Sequence, residues 1–252
     1  MLQGPTVPDA PFPKTSWTRI ARAGALTPDG HEALSALCKD YWFPVYAFIR
    51  RRSASPDDAS DRTQGFFARL LERNDLAKVD RAIGSKFRSW LLKCVVNYLA
   101  NEYDRDHAQS RIPPELADSI SDGNDEGRYQ AEPAQHLTPE RLYERHFALS
   151  VLARVLEKLR AKYVAAGKEP LFEALKGCLS GDAAQRPYEE VASALGMTEG
   201  AVRKAAFDLR SHYKKMIRAE VASLVDAEGP DGEAAVEEEL GQLLAALEDE
   251  PA

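Results

Sequence analysis

Residues 187–202 read PYEEVASALGMTEGAV and have the spacing of a helix-turn-helix. Pro187 opens the first helix, Ala192 is small enough for close approach of a second helix, and Gly196 makes the sharp turn between them. Thr198 is the predicted N-cap of the second helix, because its hydroxyl can accept a hydrogen bond from the first turn. The stretch therefore predicts two helices packed around one tight turn.

The second helix of this motif has an apolar face and a cationic face. Its predicted inward residues are Val202, Ala206, Leu209 and Tyr213. Its opposite face carries Arg203, Lys204, Phe207, Arg210, Ser211, Lys214 and Lys215. Clustered Lys and Arg side chains neutralise phosphates, and a helix-turn-helix places its second helix in the major groove. The pattern favours DNA binding over the alternative, an ordinary solvated helix face.

The charge distribution divides the rest of the chain. The formal net charge is −7, but residues 14–112 hold 17 Lys and Arg against 12 Asp and Glu, and residues 140–225 hold 15 against 11. Residues 113–139 are acidic and rich in Pro, Asp, Ser and Gly, which is typical of a linker that does not fold by itself. We therefore predict a disordered N-terminus (1–13), an N-terminal domain (14–112), a linker (113–139), a C-terminal domain (140–225) and an acidic tail (226–252).

Both predicted domains have helical patterns. Apolar residues recur at spacings of three and four, and no alternating run rich in Val or Thr occurs. The fold class is predicted to be all-α, with two helical domains joined by a flexible acidic linker and followed by an amphipathic acidic helix. In that last helix, one apolar face is formed by Val236, Leu240, Leu243, Leu244 and Leu247. We expect it to dock on the C-terminal domain, either completing its core or covering the cationic face with carboxylates.

Two helices of the N-terminal domain present distinctive polar faces. The first starts at the capping sequence of residues 55–58 and runs to about Arg73. Its outer face carries Asp57, Asp58, Asp61, Gln64 and Glu72, which from geometry alone is typical of an ordinary solvated surface.

The second of these helices runs from Phe87 to about Arg105. The residues on or beside its polar face are Ser89, Lys93, Asn97, Ala100, Asn101 and Arg105. Amides and amines of this kind can contact bases and phosphates. Trp90 and Tyr98 are predicted to be core residues, the alternative being that their rings stack on bases.

The sequence contains no pattern typical of catalysis or of cofactor binding. It has no Gly-rich phosphate loop, no H-E-x-x-H, no G-x-S-x-G and no Cys/His set with metal-ligand spacing. We therefore expect no enzymatic activity, cofactor or metal. The absence of a long apolar run and of a secretory signal favours a cytoplasmic protein that does not insert into a membrane, and the three separated cysteines favour reduced thiols.

Four stretches in order resemble an RNA polymerase sigma factor of the sigma-70 superfamily, of the extracytoplasmic-function type. Residues 41–52 (YWFPVYAFIRRR) resemble the opening helix of region 2, and residues 57–67 (DDASDRTQGFF) are similar to the D-x-x-Q-x-F helix. Residues 87–97 resemble the helix that meets the minus-10 promoter element, and residues 188–218 resemble region 4, which contacts the minus-35 element. Residues 137–145 and 237–247 resemble a subgroup of these sigma-24-like factors from bacteria with large genomes.

This resemblance implies a factor that binds core RNA polymerase, recognises double-stranded promoter DNA with two modules and helps to open it. The residues that match the polymerase-binding helix are Asp57, Asp58, Asp61, Gln64 and Phe66. Those implied at the minus-10 element are Arg88, Lys93, Asn97, Asn101 and Arg105. Those implied at the minus-35 element are Thr198, Arg203, Lys204, Phe207, Arg210, Lys214 and Lys215. Arg62 stands where an apolar residue is common, and Phe207-Asp208 replaces a polar-basic pair, so the base-contacting residues are not fixed by the resemblance.

Two other functions compete with this interpretation. One is a helix-turn-helix transcriptional regulator of sigma-like shape that no longer joins polymerase. The other is an interaction protein, for instance one held by an anti-sigma factor or another regulator through its acidic tail. The acidic face around Asp61 and Gln64 distinguishes a sigma factor from the first alternative, because a regulator that does not bind polymerase does not require an acidic polymerase-binding surface.

Overall fold

The computed structural model describes residues 28–72, 87–103, 124–131, 137–180, 187–225 and 232–248. These residues form ten α-helices and contain no strand, which confirms the all-α prediction for the described part of the chain. In chain order the helices are α1 (Pro28–Arg50), α2 (Pro56–Glu72), α3 (Phe87–Tyr103), α4 (Asp125–Gln130), α5 (Pro139–Ala165), α6 (Glu169–Leu175), α7 (Gly177–Ser180), α8 (Tyr188–Leu195), α9 (Glu199–Leu224) and α10 (Gly232–Leu247). The predicted N-terminal segment 1–13 lies outside the described residues.

Short-range signals set the helix starts. Ser55 Oγ accepts a hydrogen bond from the backbone N–H of Asp58 at 3.1 Å, and Thr138 Oγ1 accepts one from the N–H of Arg141 at 3.3 Å. Asp57 and Asp58 lie in the first turn of α2, where the helix dipole favours negative charge. The predicted start of α2 is confirmed.

Two hydrophobic cores hold the helices together. Core 1 is formed by α1, α2, α3 and α10, with the first half of α5 and the C-terminal end of α9. Stacked aromatic rings fill its centre: the ring centroids are 5.3 Å apart between Trp42 and Phe67, and 5.2 Å apart between Tyr41 and Phe147. Core 2 is smaller and is formed by the second half of α5, by α6 and α8, and by the first half of α9.

Two helices belong to both cores. On α5, Val151 is buried in core 1 and Leu159 in core 2; on α9, Leu209 is buried in core 2 and Val221 in core 1. The predicted division at residues 139/140 therefore separates side chains that pack together, since the first half of α5 belongs with the N-terminal helices. Charge composition identified the acidic segment, but it contains no information about which helices a 27-residue helix contacts.

Part of the predicted flexible linker is folded. Residues 125–130 form α4, which is attached to α1 by polar side chains. Trp42 Nε1 donates to Asp125 at 2.8 Å, Tyr46 Oη donates to Glu126 at 2.8 Å, and Arg50 donates to both carboxylate oxygens of Glu126 at 2.9 and 3.2 Å. The hydrogen bonds from Arg50 lower the pKa of Glu126. For these residues the linker prediction is wrong, because it rested on missing apolar periodicity whereas α4 is held by charge-assisted hydrogen bonds.

A charged network connects α1, α5 and α9 where the two cores meet. Arg154 contacts Asp40 at 2.5 Å and Glu220 at 2.8 Å, and Lys158 contacts Glu220 at 2.5 Å. Burial alone would raise the pKa of Glu220, but the hydrogen bond from Lys158 and the charge of Arg154 outweigh burial and lower it. The carboxylate of Glu220 therefore stays ionised and stabilises this junction.

Candidate nucleic-acid interface

The helix-turn-helix is formed by α8 and α9. Gly196 has φ +62, a left-handed conformation that a residue with a Cβ adopts only with strain, and the N–H of Met197 closes the turn on the carbonyl of Ala192 at 2.9 Å. Thr198 Oγ1 accepts a hydrogen bond from the N–H of Ala201 at 3.2 Å. Gly196 and Thr198 therefore have the predicted turn and N-cap roles.

The inward face of α9 fixes the helix on core 2. Val202, Ala206 and Leu209 have no exposed surface, and Tyr213 is half-buried beside them. This confirms the predicted packing face. It also determines which side chains of α9 point to solvent.

The outward face of α9 is cationic with one aromatic side chain at its centre. Its exposed residues are Arg203, Lys204, Phe207, Arg210, Lys214 and Lys215. Phe207 is 68% exposed, more than any other large hydrophobic residue among those described. All six predicted minus-35 residues on α9 thus lie on one accessible helix surface, hereafter the α9 face.

Tyr188, the first residue of α8, contacts two arginines of the α9 face. Arg210 donates a hydrogen bond from Nη2 to Tyr188 Oη at 2.7 Å, and the guanidinium carbon of Arg203 lies 5.4 Å from the centroid of the Tyr188 ring. Arg203 also pairs with Glu199 at 2.5 Å in a solvent-exposed contact. Sequence analysis missed this role of Tyr188. The separation of 22 positions between Tyr188 and Arg210 gives no periodic signal within one helix.

The polar face of α3 contains three of the five predicted minus-10 residues. Lys93, Asn97 and Asn101 are exposed and spaced four residues apart, so they lie on one side of the helix. Asn101 Nδ2 donates to the backbone carbonyl of Asn97 at 2.6 Å. Arg105 lies outside the described residues. Tyr98 is buried and Trp90 is half-buried against Phe87, so their prediction as core residues is confirmed.

Arg88 does not lie on that polar face. It is 5% exposed, and its guanidinium donates to Glu144, to Glu239 and, at 2.8 Å, to Gln242. Every nitrogen of the guanidinium faces an acceptor of the same chain. In this structure the prediction that Arg88 contacts DNA is therefore wrong. The residue pattern of α3 alone does not reveal that the Arg88 guanidinium binds the carboxylate of Glu239, 151 positions farther along the chain.

The acidic face of α2 is only partly as predicted. Asp57 and Asp61 are exposed, Asp58 pairs with Arg62 at 2.6 Å, and the Gln64 amide lies 3.5 Å from Ser60 Oγ. Phe66 is 3% exposed and packs edge-on against Tyr98 with centroids 5.7 Å apart, so it stabilises core 1 and is not available as a surface contact. The accessible acidic face therefore consists of Asp57, Asp61 and Glu72, which are exposed, and the partly exposed Asp58 and Gln64.

The acidic tail forms α10, which docks on α5 and α9 as expected. The core that it completes is core 1, however, where Val236 and Leu243 are buried. Its carboxylates do not cover the α9 face, whose six residues stay exposed while α10 is docked. Glu237 pairs instead with Arg218 at 2.6 Å, and Glu233 contacts the same guanidinium.

Comparison of the chain with known protein families, with characterised proteins and with solved structures found no match. Within the described ranges, no group of three or more His, Cys, Asp and Glu side chains is arranged to hold a metal ion. Among those same residues, no helix combines the length and the apolar character that crossing a bilayer demands.

Proposed function

We propose that the protein is a transcription initiation factor of the extracytoplasmic-function type of the sigma-70 superfamily. In this proposal it binds core RNA polymerase and directs it to promoters. The observation that carries the proposal is the α9 face: an exposed cationic helix surface, placed on core 2 by a glycine turn and a threonine cap. That combination of turn, cap and clustered cations suits the major groove of duplex DNA and its flanking phosphates.

The same proposal assigns a binding partner to each of two further surfaces, one on α3 and one on α2. Lys93, Asn97 and Asn101 on α3 offer one cation and two amides, which suit the phosphates and exposed base edges of a second promoter element. Asp57 and Asp61 on α2 offer exposed carboxylates to a basic surface of polymerase. The experiment that tests the whole proposal is copurification with core polymerase followed by promoter-dependent transcription in vitro.

Charge reversal at Asp61 is expected to weaken polymerase binding by at least tenfold, about 1.4 kcal/mol. Asp61 is exposed on α2, so Asp61→Arg places a cation where the proposed partner is basic without disturbing core 1. The affinity for core polymerase is measured by titration with labelled protein. Glu157→Arg, an equal charge reversal at an exposed position of α5, is the control. Unchanged polymerase affinity for Asp61→Arg would remove α2 from the proposed interface.

The two ends of the α9 face are expected to respond differently to truncation. Arg203 lies near the N-terminal end of α9, where a recognition helix contacts bases, so Arg203→Ala should cost about 1–3 kcal/mol and relax sequence preference. Lys214 lies farther along and should contact phosphate only, so Lys214→Ala should weaken binding to all duplexes alike and lower the salt slope by about one. Both variants are titrated with a selected duplex and with its scrambled version at several salt concentrations. The opposite pattern would mean that α9 lies in the groove in the reverse orientation.

The second candidate function is a DNA-binding regulator that does not join polymerase. Two observations favour it. Phe66 is buried and Asp58 is paired with Arg62, so fewer α2 side chains are available to polymerase than the resemblance implies. A protein that binds a specific duplex but does not copurify with core polymerase would support this second function.

A further inference from the structure

Phe207 occupies a position on α9 that packing does not explain. Its neighbours Ala206 and Leu209 have no exposed surface and hold the helix on core 2, while Phe207 is 68% exposed on the opposite side. The side chain therefore contributes little buried area to the folded chain. An aromatic ring at the centre of a cationic surface is instead available to a ligand.

Tyr188 of α8 contacts both arginines beside Phe207, and Cys178 of α7 also lies beside Arg210. Arg203 precedes Phe207 by four residues and Arg210 follows it by three, so all three project from the same side of α9 with roughly 5–6 Å between the Cβ atoms of neighbours. The Tyr188 ring lies under Arg203 and its hydroxyl accepts from Arg210. In the Arg203–Glu199 ion pair both side chains are exposed to solvent. Exposed pairs are weak, so Arg203 can exchange Glu199 for a ligand.

We infer that Arg203, Phe207 and Arg210 form a recognition surface for a thymine in the major groove, and that Tyr188 is its positioning residue. The inference rests on the proposed DNA-binding function and specifies the chemistry of that site. Thymine is the one standard base of DNA that presents a methyl group in the major groove, and an apolar side chain such as Phe can contact it there. Guanidinium groups on either side suit the O6 and N7 acceptors of guanine or the phosphates of the flanking nucleotides.

The charge of the surface favours duplex DNA over a protein helix as its occupant. Arg203, Lys204, Arg210 and Lys214 surround Phe207 and are all exposed, which matches a polyanion with an apolar group at one point. An acidic amphipathic helix of a partner protein would require a wider apolar surface, because such helices bind through several anchors spaced along one face. Phe207 is the one large hydrophobic residue of the α9 face that is exposed.

The test uses the full-length protein and duplexes selected from a random library. Each thymine of the selected duplex is replaced in turn by deoxyuridine, which keeps every hydrogen-bonding group and lacks the methyl. The intact protein is expected to lose about fourfold in affinity at one position, the effect of removing one buried methyl group. Phe207→Ala is expected to bind more weakly and to show no further loss on replacement at that position, with an unchanged salt slope.

Three outcomes would overturn the inference. If the intact protein binds a specific duplex but no deoxyuridine replacement changes its affinity, Phe207 does not recognise a thymine methyl although the proposed DNA binding stands. If Phe207→Ala leaves DNA affinity intact but weakens binding to core polymerase, the α9 face binds protein. If no duplex is selected at all, the proposed DNA-binding function fails together with the inference.

Two substitutions test Tyr188 as the positioning residue. Tyr188→Phe keeps the ring under Arg203 and removes the hydroxyl that binds Arg210, so it should relax base preference on the Arg210 side of the thymine alone. Tyr188→Leu should relax preference on both sides. A purely structural role would weaken binding to all sequences equally, so unchanged preferences in Tyr188→Phe would remove Tyr188 from the recognition surface.

Discussion

Replacing Glu239 by Ala is expected to lower the free energy of unfolding by about 3 kcal/mol, although Glu239 lies in a tail that composition alone would describe as a solvated acidic segment. Glu239 is 1% exposed and contacts Arg88, which is itself 5% exposed. Removal of the carboxylate leaves a buried guanidinium with Glu144 and Gln242 as its remaining partners. An incompletely compensated charge in core 1 is costly because water cannot replace the missing acceptor.

The matched control for this substitution is Glu233→Ala. Glu233 belongs to the same helix and also pairs with an arginine, Arg218, but 82% of its side chain is exposed. Exposed pairs contribute little to stability, so this variant should unfold at nearly the urea concentration of the parent. A double variant, Arg88→Met with Glu239→Leu, should regain most of the lost stability because it removes both buried charges. Equal effects of Glu239→Ala and Glu233→Ala would show that α10 is not docked in solution.

We expect the free energy of unfolding to decrease as the pH falls below 6.5, because the side chain of His146 is buried. His146 is 3% exposed, lies edge-on to Phe43 with centroids 4.6 Å apart, and has Arg128 and Arg145 nearby. Burial, reinforced by these two positive charges, lowers its pKa to about 4. In the unfolded chain the imidazole has a pKa of about 6.5.

The sign of the effect follows from which state binds the proton. Between pH 6.5 and 4 the unfolded chain is protonated at His146 while the folded chain is not, so stability falls as pH falls through this window. The loss should approach about 3 kcal/mol near pH 4. The glutamine of His146→Gln cannot titrate. The unfolding free energy of the parent minus that of the variant should therefore fall steadily from pH 7 to pH 4.5.

Measurements above pH 4.5 separate this effect from that of the carboxylates. The pKa values of Glu126 and Glu220 are lowered in the folded protein, so the stability that their ionised carboxylates contribute is lost only at lower pH. His212→Gln, the same substitution at an exposed position of α9, is the matched control. A parent protein with the same pH dependence as His146→Gln would mean that His146 is not buried as a neutral imidazole.

Sequence patterns predicted those features that depend on residues close together in the chain. The caps at Ser55 and Thr198, the turn at Gly196 and the inward face of α9 involve residues at most a few turns apart, so periodicity and capping chemistry suffice for them. The same rules identified the exposed cations of the α9 face, since a helix with one packed side must present the other.

Contacts between distant parts of the chain could not be predicted in this way. Arg88 and Phe66 belong to motifs implied by resemblance, but their burial depends on Glu239 and Tyr98, which lie on other helices. The role of Tyr188 depends on how closely α8 approaches α9. The folding of α4 depends on Trp42, Tyr46 and Arg50 of α1, whose hydrogen bonds compensate for the lack of an apolar face.

The sharing of α5 and α9 between the two cores has a consequence for thermodynamic coupling. Because Val221 and Leu209 lie on one uninterrupted helix, melting of core 2 removes the turns of α9 that support its end in core 1. A ligand that binds the α9 face in the folded state alone raises the free energy of unfolding of that helix by mass action. We expect part of this stabilisation to reach α10, which packs on α9 and belongs to core 1. We therefore expect occupancy of the α9 face to oppose the unfolding of core 1 as well as of core 2, because this one helix packs in both.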